Sequence, residues 1–373
     1  MKRISGFLFL VMAILASPRH TDAASTLPKM PGEVREFTII ENDTTTYILK
    51  LALDDTGHPA YFFRNVFTPV CLTGECKPVY INFYWDLVGN YLRYDFPPGE
   101  VLTKMDHREF KKEDYDKLQD ILSRPNSLLK DVAMNDLVGK GTENLADSVD
   151  AKAGATLKTV KNEVIDGAVY TCYTLWHIAN GHVIDEILRI TETYRDDTLL
   201  HRFLSSANHY YQYWAMERVI DQNGNLDTEF NADVQKIMRG TNVYTARFAL
   251  QRLADPYFFD SNRQVWLWET FRKAPYPIQI AILKKLNKIP FGTPLADLTS
   301  KELTNANPEQ FKLMLKLLAT QPKLPEKALQ NLAVHLTHSN PDYTAEIYRV
   351  LAGFRPKNRE VVTRMNSYKA KNP

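Results

Sequence analysis

Charge of one sign is nearly absent from the balance of this chain. Its 46 Lys and Arg almost cancel 44 Asp and Glu, leaving a formal net charge of +2 over 373 residues. That removes the electrostatic case for nucleic acid as a partner, which wants a basic face. Long apolar runs are lacking too. Past the N-terminus no stretch has the about 20 apolar residues a membrane helix requires, so no transmembrane segment is expected after the leader. The chain also lacks a phosphate-cradling Gly-x-x-x-x-Gly-Lys loop, a Gly-x-Ser-x-Gly elbow and a His-Glu-x-x-His helix. No nucleophile stands at a telling spacing from a base, and no metal-ligand set is evident. The sequence therefore does not read as an enzyme with its own substrate.

What is present begins at the N-terminus. Lys2 and Arg3 precede an apolar run from Ile4 to Ala16, Pro18 breaks it, and Thr21-Asp22-Ala23 offers small residues for cleavage. This is the layout of a secretory signal peptide, with residues 1–23 removed. The expected location is periplasmic or secreted. With 44% hydrophobic and 24% charged residues the composition is ordinarily globular. A chain of this length exceeds one compact core, since cores stop growing at roughly 250–300 residues, so two domains are expected.

Residues 24–36, with Pro28 and Pro31, read as a polar leader. The β-branched, alternating stretch from about Phe37 to Leu53 reads as strand, as do Tyr61 to Val70 and Val79 to Trp85, with a turn at Asp54-Asp-Thr-Gly-His-Pro59. Asp114 to Leu122 has helical spacing. From Leu157 to about Ala179 the apolar positions Val160, Val164, Ile165, Ala168, Val169, Cys172, Leu175 and Trp176 make one helical stripe, closed by Asn180-Gly181. After residue 183 helical segments follow one another, punctuated by prolines. Asn307-Pro308 and Asn340-Pro341 each open a similar amphipathic helix, which points to an α-hairpin array of HEAT-like kind. The expected organisation is an α+β domain over residues 37–182 and an all-helical, HEAT-like domain over 183–373.

The chain holds three cysteines. Cys71 and Cys76 flank Thr73-Gly74, which can turn the chain back and bring the sulfurs together. In an oxidising compartment this pair reads as a structural staple or as a redox-active dithiol. Closing so small a ring stabilises by only about 2 kcal/mol on a chain-entropy argument.

One stretch points to chemistry: Val149-Asp-Ala-Lys-Ala-Gly-Ala-Thr-Leu-Lys-Thr159. Gly154 and Ala155 place almost no side chain there, so another molecule can approach the backbone closely. Thr156 offers a hydroxyl at the expected start of a helix, where N–H groups and the dipole favour phosphate. The run resembles the signature of the FMN-binding domain family of sodium-pumping NADH:quinone oxidoreductase and Rnf-type complexes. The resemblance covers the N-terminal half alone. It implies FMN joined by a phosphoester to Thr156, with Asp150, Gly154 and Ala155 at the cofactor, and an exported flavin transferase as partner. It also implies an extracytoplasmic electron carrier with a redox partner protein. The chain departs from the pattern at Ala153, where the family has Ser or Thr.

Other polar clusters read more plainly. Lys104, Asp106, His107 and Glu109 read as a solvated helix entry. His335 and His338 read as cations favoured at a helix C-terminus. Trp176-His177 reads as core, and His209-Tyr-Tyr-Gln-Tyr-Trp214 as an aromatic helix packing the junction of the domains. The alternative to a flavin carrier is a non-redox helical-repeat scaffold with a degenerate FMN-binding-like domain.

Overall fold

The computed structural model describes residues 32–70, 76–104, 107–137 and 159–372. It divides into two compact units, one up to Leu188 and one from Arg189 onward.

The first unit is built on a five-stranded antiparallel meander in the order β1-β2-β3-β4-β5: Glu33–Asn42, Thr45–Leu53, Pro59–Thr68, Val79–Trp85 and Tyr91–Asp95. Period-2 alternation sorts the side chains. Leu49, Leu51, Phe62, Val66, Ile81, Phe83 and Trp85 are buried on one face. The opposite face carries Ile48, Phe67 and Tyr80 exposed and Lys50, Phe63 and Tyr84 half-buried. On that outer face, cross-strand partners touch. Phe67 lies 4.3 Å from Tyr80 between ring centroids, and Asn65, Asn82 and Asp95 form a hydrogen-bonded row.

Two helices cover the inner face: α1, Lys112–Leu122, and α2, Val169–Asn180. Trp85, fully buried, donates its indole N–H to the Ala179 carbonyl at 2.7 Å, fastening β4 to the end of α2. Tyr91 donates to Gln119, and Tyr94 donates to the Tyr115 carbonyl on α1. Each fully buried large side chain in this core contributes roughly 1.5–3 kcal/mol of hydrophobic stabilisation.

Three departures from the sequence reading stand out. Strand β1 begins at Glu33, inside the stretch read as polar leader. Strand β5 carries no alternation, all five residues being half-buried, and had no sequence signal. Leu157 and Lys158 lie outside the described residues; from Thr159 on, the expected helix is interrupted, Thr159-Val160 forming a turn and Lys161–Glu163 a single 3-10 turn before the regular helix at Val169. Gly167 then takes a φ of 76°, a left-handed corner that breaks any continuing helix. The apolar stripe is still buried, from Val160 through Trp176: its first half packs in a compact corner and its second half, from Val169, on helix α2.

The second unit is helical; its one bridge among the described residues joins Ile220 and Leu226. Helix α3, Val183–Thr193, crosses the boundary between the units. There follow α4 Asp197–Leu204, α5 His209–Val219, α6 Asn231–Met238, α7 Val243–Arg252, α8 Ser261–Lys273 and α9 Tyr276–Leu286. Then come α10 Thr293–Glu302, α11 Pro308–Ala319, α12 Glu326–Val334, α13 Pro341–Phe354 and α14 Arg359–Lys371. From α7 onward each helix packs on the next but one, as α7 on α9, α8 on α10, and so on to α12 on α14. The Asn-Pro starts do what their chemistry allows. Asn307 and Asn340 each accept backbone N–H bonds from the first turn, and the following proline occupies N1, where no donor is needed. Phe311 on α11 stacks on Tyr343 on α13 at 3.7 Å.

Candidate functional site

The residues singled out for flavin, Asp150, Gly154, Ala155 and Thr156, lie outside the described residues, as does Cys71. The expected Cys71–Cys76 pairing therefore falls outside what the structure describes. Cys76 is half-buried, and Cys172 is buried on α2, where its sulfur accepts the Ile165 N–H at 3.3 Å.

The two ends of the segment 138–158 are described, and both are fixed in the core: Leu137 and Val160 are fully buried. The side chains around those ends form a tight polar and aromatic cluster. Ser127 caps the 3-10 turn Leu128–Asp131 and donates to Glu163 at 2.7 Å, while Arg124 reaches the other oxygen of the same carboxylate at 3.0 Å. The Arg124 carbonyl in turn takes the Trp176 indole N–H at 2.9 Å. His177 donates Nε2–H to the Leu129 carbonyl at 3.1 Å and lies edge-on to Trp176, with Tyr173 at 4.3 Å. Burial holds the His177 pKa below its ordinary value of 6.5 and pushes the Tyr173 hydroxyl up, so both are kept neutral. These hydrogen bonds hold the corner together. Trp176 is buried core, as read from sequence, and His177 is half-buried beside it.

The other clusters resolve into structural roles. His335 is not a solvated cation at a helix end. It caps α12 half-buried, Nε2 donating to the Ser300 carbonyl at 2.9 Å and Nδ1 meeting Thr304 at 3.0 Å, and burial lowers its pKa. Lys104 pairs with Asp114 at 2.6 Å, and Asp106 lies outside the described residues. Within the aromatic helix α5, Tyr211 stacks on Phe203 and Tyr213 meets Phe248 edge-on, both inside the second unit. Among the described residues no group of three or more His, Cys, Asp or Glu is placed to hold a metal.

Sequence reasoning missed two arrangements. On the second unit His201 Nδ1 meets Asp233 at 2.6 Å, and Nε2 lies 3.8 Å from Glu229. The partners come from different helices and had no local spacing to betray them. On the first unit Arg64 lies over the Tyr47 ring, its guanidinium carbon 3.6 Å from the centroid, beside a cavity of about 380 Å³. The second unit also has a polar groove of about 520 Å³ lined by Arg272, Gln279, Lys301, Glu302 and Gln310.

Compared with protein-family models, with curated proteins and with solved structures, the chain matches none. No helix among the described residues is long and apolar enough to cross a membrane.

Proposed function

We propose that the protein is an exported flavoprotein that carries FMN on Thr156 and transfers electrons outside the cytosol. The observation that carries this reading is the run Val149 to Thr159, with an acidic residue, a Gly-Ala pair and a threonine in the order of the FMN-binding signature, in a chain that opens like a secretory precursor. An antiparallel sheet before the run and a buried helix after it are compatible with that domain. Bound flavin would supply the one- and two-electron chemistry, and the chain would supply position and exclusion of water. The fixed ends at Leu137 and Val160 would give a tethered cofactor a firm base.

The test is co-expression of the full chain with an exported flavin transferase, followed by a denaturing gel under ultraviolet light and intact mass. A fluorescent band that vanishes in Thr156→Ala is expected. A colourless wild-type chain beside abundant transferase would overturn the reading. Ala153→Ser, restoring the hydroxyl of the signature, would then show whether that one position prevents loading.

A second reading has its own support. The regular packing of each helix on the next but one, from α7 to α14, is the neighbour-only connectivity of an α-hairpin array of HEAT-like kind. On this reading the second unit is an interaction scaffold and the first has lost its cofactor. The two readings separate on the colour of the protein.

A further inference from the structure

The sheet of the first unit is open along part of one seam. Strands β1 and β2 pair along their length, and β3 and β4 pair from Phe62–Trp85 to Thr68–Val79. Between β2 and β3, however, pairing is confined to Lys50–Leu53 against Pro59–Phe63. Beyond Lys50 and Phe63 the strands part. The halves Thr45–Leu49 and Arg64–Thr68 face each other across a wedge, and the 380 Å³ cavity is that wedge, lined among others by Thr46, Tyr47, Ile48, Arg64, Asn65 and Phe67. At its closed end the spacing is that of an ordinary ladder, about 4.8 Å, so there is no room for another strand and room for one small group.

The floor of the wedge is chemically unusual. Arg64 occupies the inward register of β3, between Phe62 and Val66, and is half-buried. Among the described residues no carboxylate lies within ion-pair distance of it, and its Nε is buried without a hydrogen-bond partner. The Tyr47 hydroxyl beside it is buried and without a partner too. Orphaned buried donors in a native fold call for a missing ion or ligand, and a partly desolvated cation without an ion-pair partner strengthens that case. Burial raises the Tyr47 pKa to about 12, so its hydroxyl remains a donor near neutral pH, while burial lowers that of Arg64. At the mouth, Lys50 is matched by Glu36 at 3.3 Å, while Arg64 feels the Glu41 carboxylate only beyond ion-pair distance.

We propose that this wedge binds the oxyanion of a small ligand, a carboxylate or a phosphate, on the Arg64 guanidinium with the Tyr47 hydroxyl as a second donor. A planar fork suits either group, and a charge-assisted bond made in a desolvated site is about twice as strong as a neutral one. The ligand body would leave by the open mouth between Ile48 and Phe67, both exposed. This site is independent of Thr156 and of any flavin there.

The test is titration calorimetry on the full chain with sodium glutarate and, separately, inorganic phosphate at matched ionic strength. One-site binding by at least one of them, with a Kd of about 1 mM or tighter, is expected. Tighter binding of glutarate assigns a carboxylate ligand, and tighter binding of phosphate a phosphorylated one. Arg64→Met should weaken binding at least about tenfold and Tyr47→Phe by a smaller factor. Removing an unpaired buried charge should leave Arg64→Met folded. Should it not fold, Arg64→Lys, which keeps the charge and loses the fork, should also bind more weakly. Absence of binding by the wild type, or equal binding by the Arg64 variants, overturns the proposal.

Discussion

The two units of this protein reach a buried core by opposite routes. In the first, residues far apart in sequence must meet: Trp85 reaches Ala179, Trp176 reaches Arg124, and Tyr91 reaches Gln119. In the second, a helix deals mainly with its neighbours, as Phe311 with Tyr343 or Gln310 with Gln279. The difference teaches where stability is shared. A core knit by long-range contacts is lost as a whole, whereas a neighbour-only array can lose one end and keep the other.

The largest test of that contrast is Trp85→Ala. It removes a fully buried indole and its bond to Ala179, and should cost about 3–5 kcal/mol. Hydrogen exchange read by mass spectrometry should quicken across all five strands together, with the amides of α7 to α14 unchanged. Equal quickening in both units would show that they are not separate in stability. Next comes Leu351→Ala on α13, fully buried, with an expected loss of about 2–5 kcal/mol. Here the quickened exchange should be graded, strongest in α12 to α14 and absent from α4 and α5. A uniform loss would remove the idea of an array.

Acidification probes one histidine in each unit. Both His177 and His335 have pKa values lowered by burial, so the unfolded chain binds their protons more readily than the folded one. Their contribution to stability is therefore intact above the unfolded value, 6.5, and is lost as pH falls below it. Urea melts between pH 7 and 5 should show the decline, with a slope of at most about 1.4 kcal/mol per pH unit for each group. His177→Asn should flatten it for the first unit and His335→Asn for the second. The smallest expected effect is Asn340→Ala, which strips the cap of α13 and should cost about 1 kcal/mol in thermal melts. A cost as large as that of Leu351→Ala would mean that the array depends on its caps more than on its core.

How much of this was legible beforehand depended on whether a signal was local. Strand Val79–Trp85 was bounded correctly because alternation runs through every residue of it. The Asn-Pro helix starts were legible because a cap is a four-residue affair. The stretch from Thr159 to Ala168 was misread because its apolar spacing satisfies a helix and a folded corner equally well, and Asp166-Gly167 gave the hint of a corner. His335 was misjudged because its partners, Ser300 and Thr304, arrive from α10 and the turn after it. The wedge had one sequence trace that went unused. An arginine stands in the inward register of Phe-Phe-Arg-Asn-Val, where alternation calls for an apolar residue. Nothing local tells that β2 and β3 part company there. The residues proposed for flavin rest on pattern alone and lie outside the described residues; the structure describes the chain up to Leu137 and again from Thr159.

The short seam between β2 and β3 has a mechanical consequence. The sheet is two ribbons, β1–β2 and β3–β4–β5, riveted at one end by Lys50–Leu53 and loose at the other. Swinging the first ribbon about that rivet would strain no ladder bond within either ribbon, but it would draw the buried Ile39, Tyr47 and Leu49 out of their packing, so the core sets how far the mouth can widen. A guest lodged at the rivet would act as a wedge in a hinge, setting the angle at which the ribbon comes to rest.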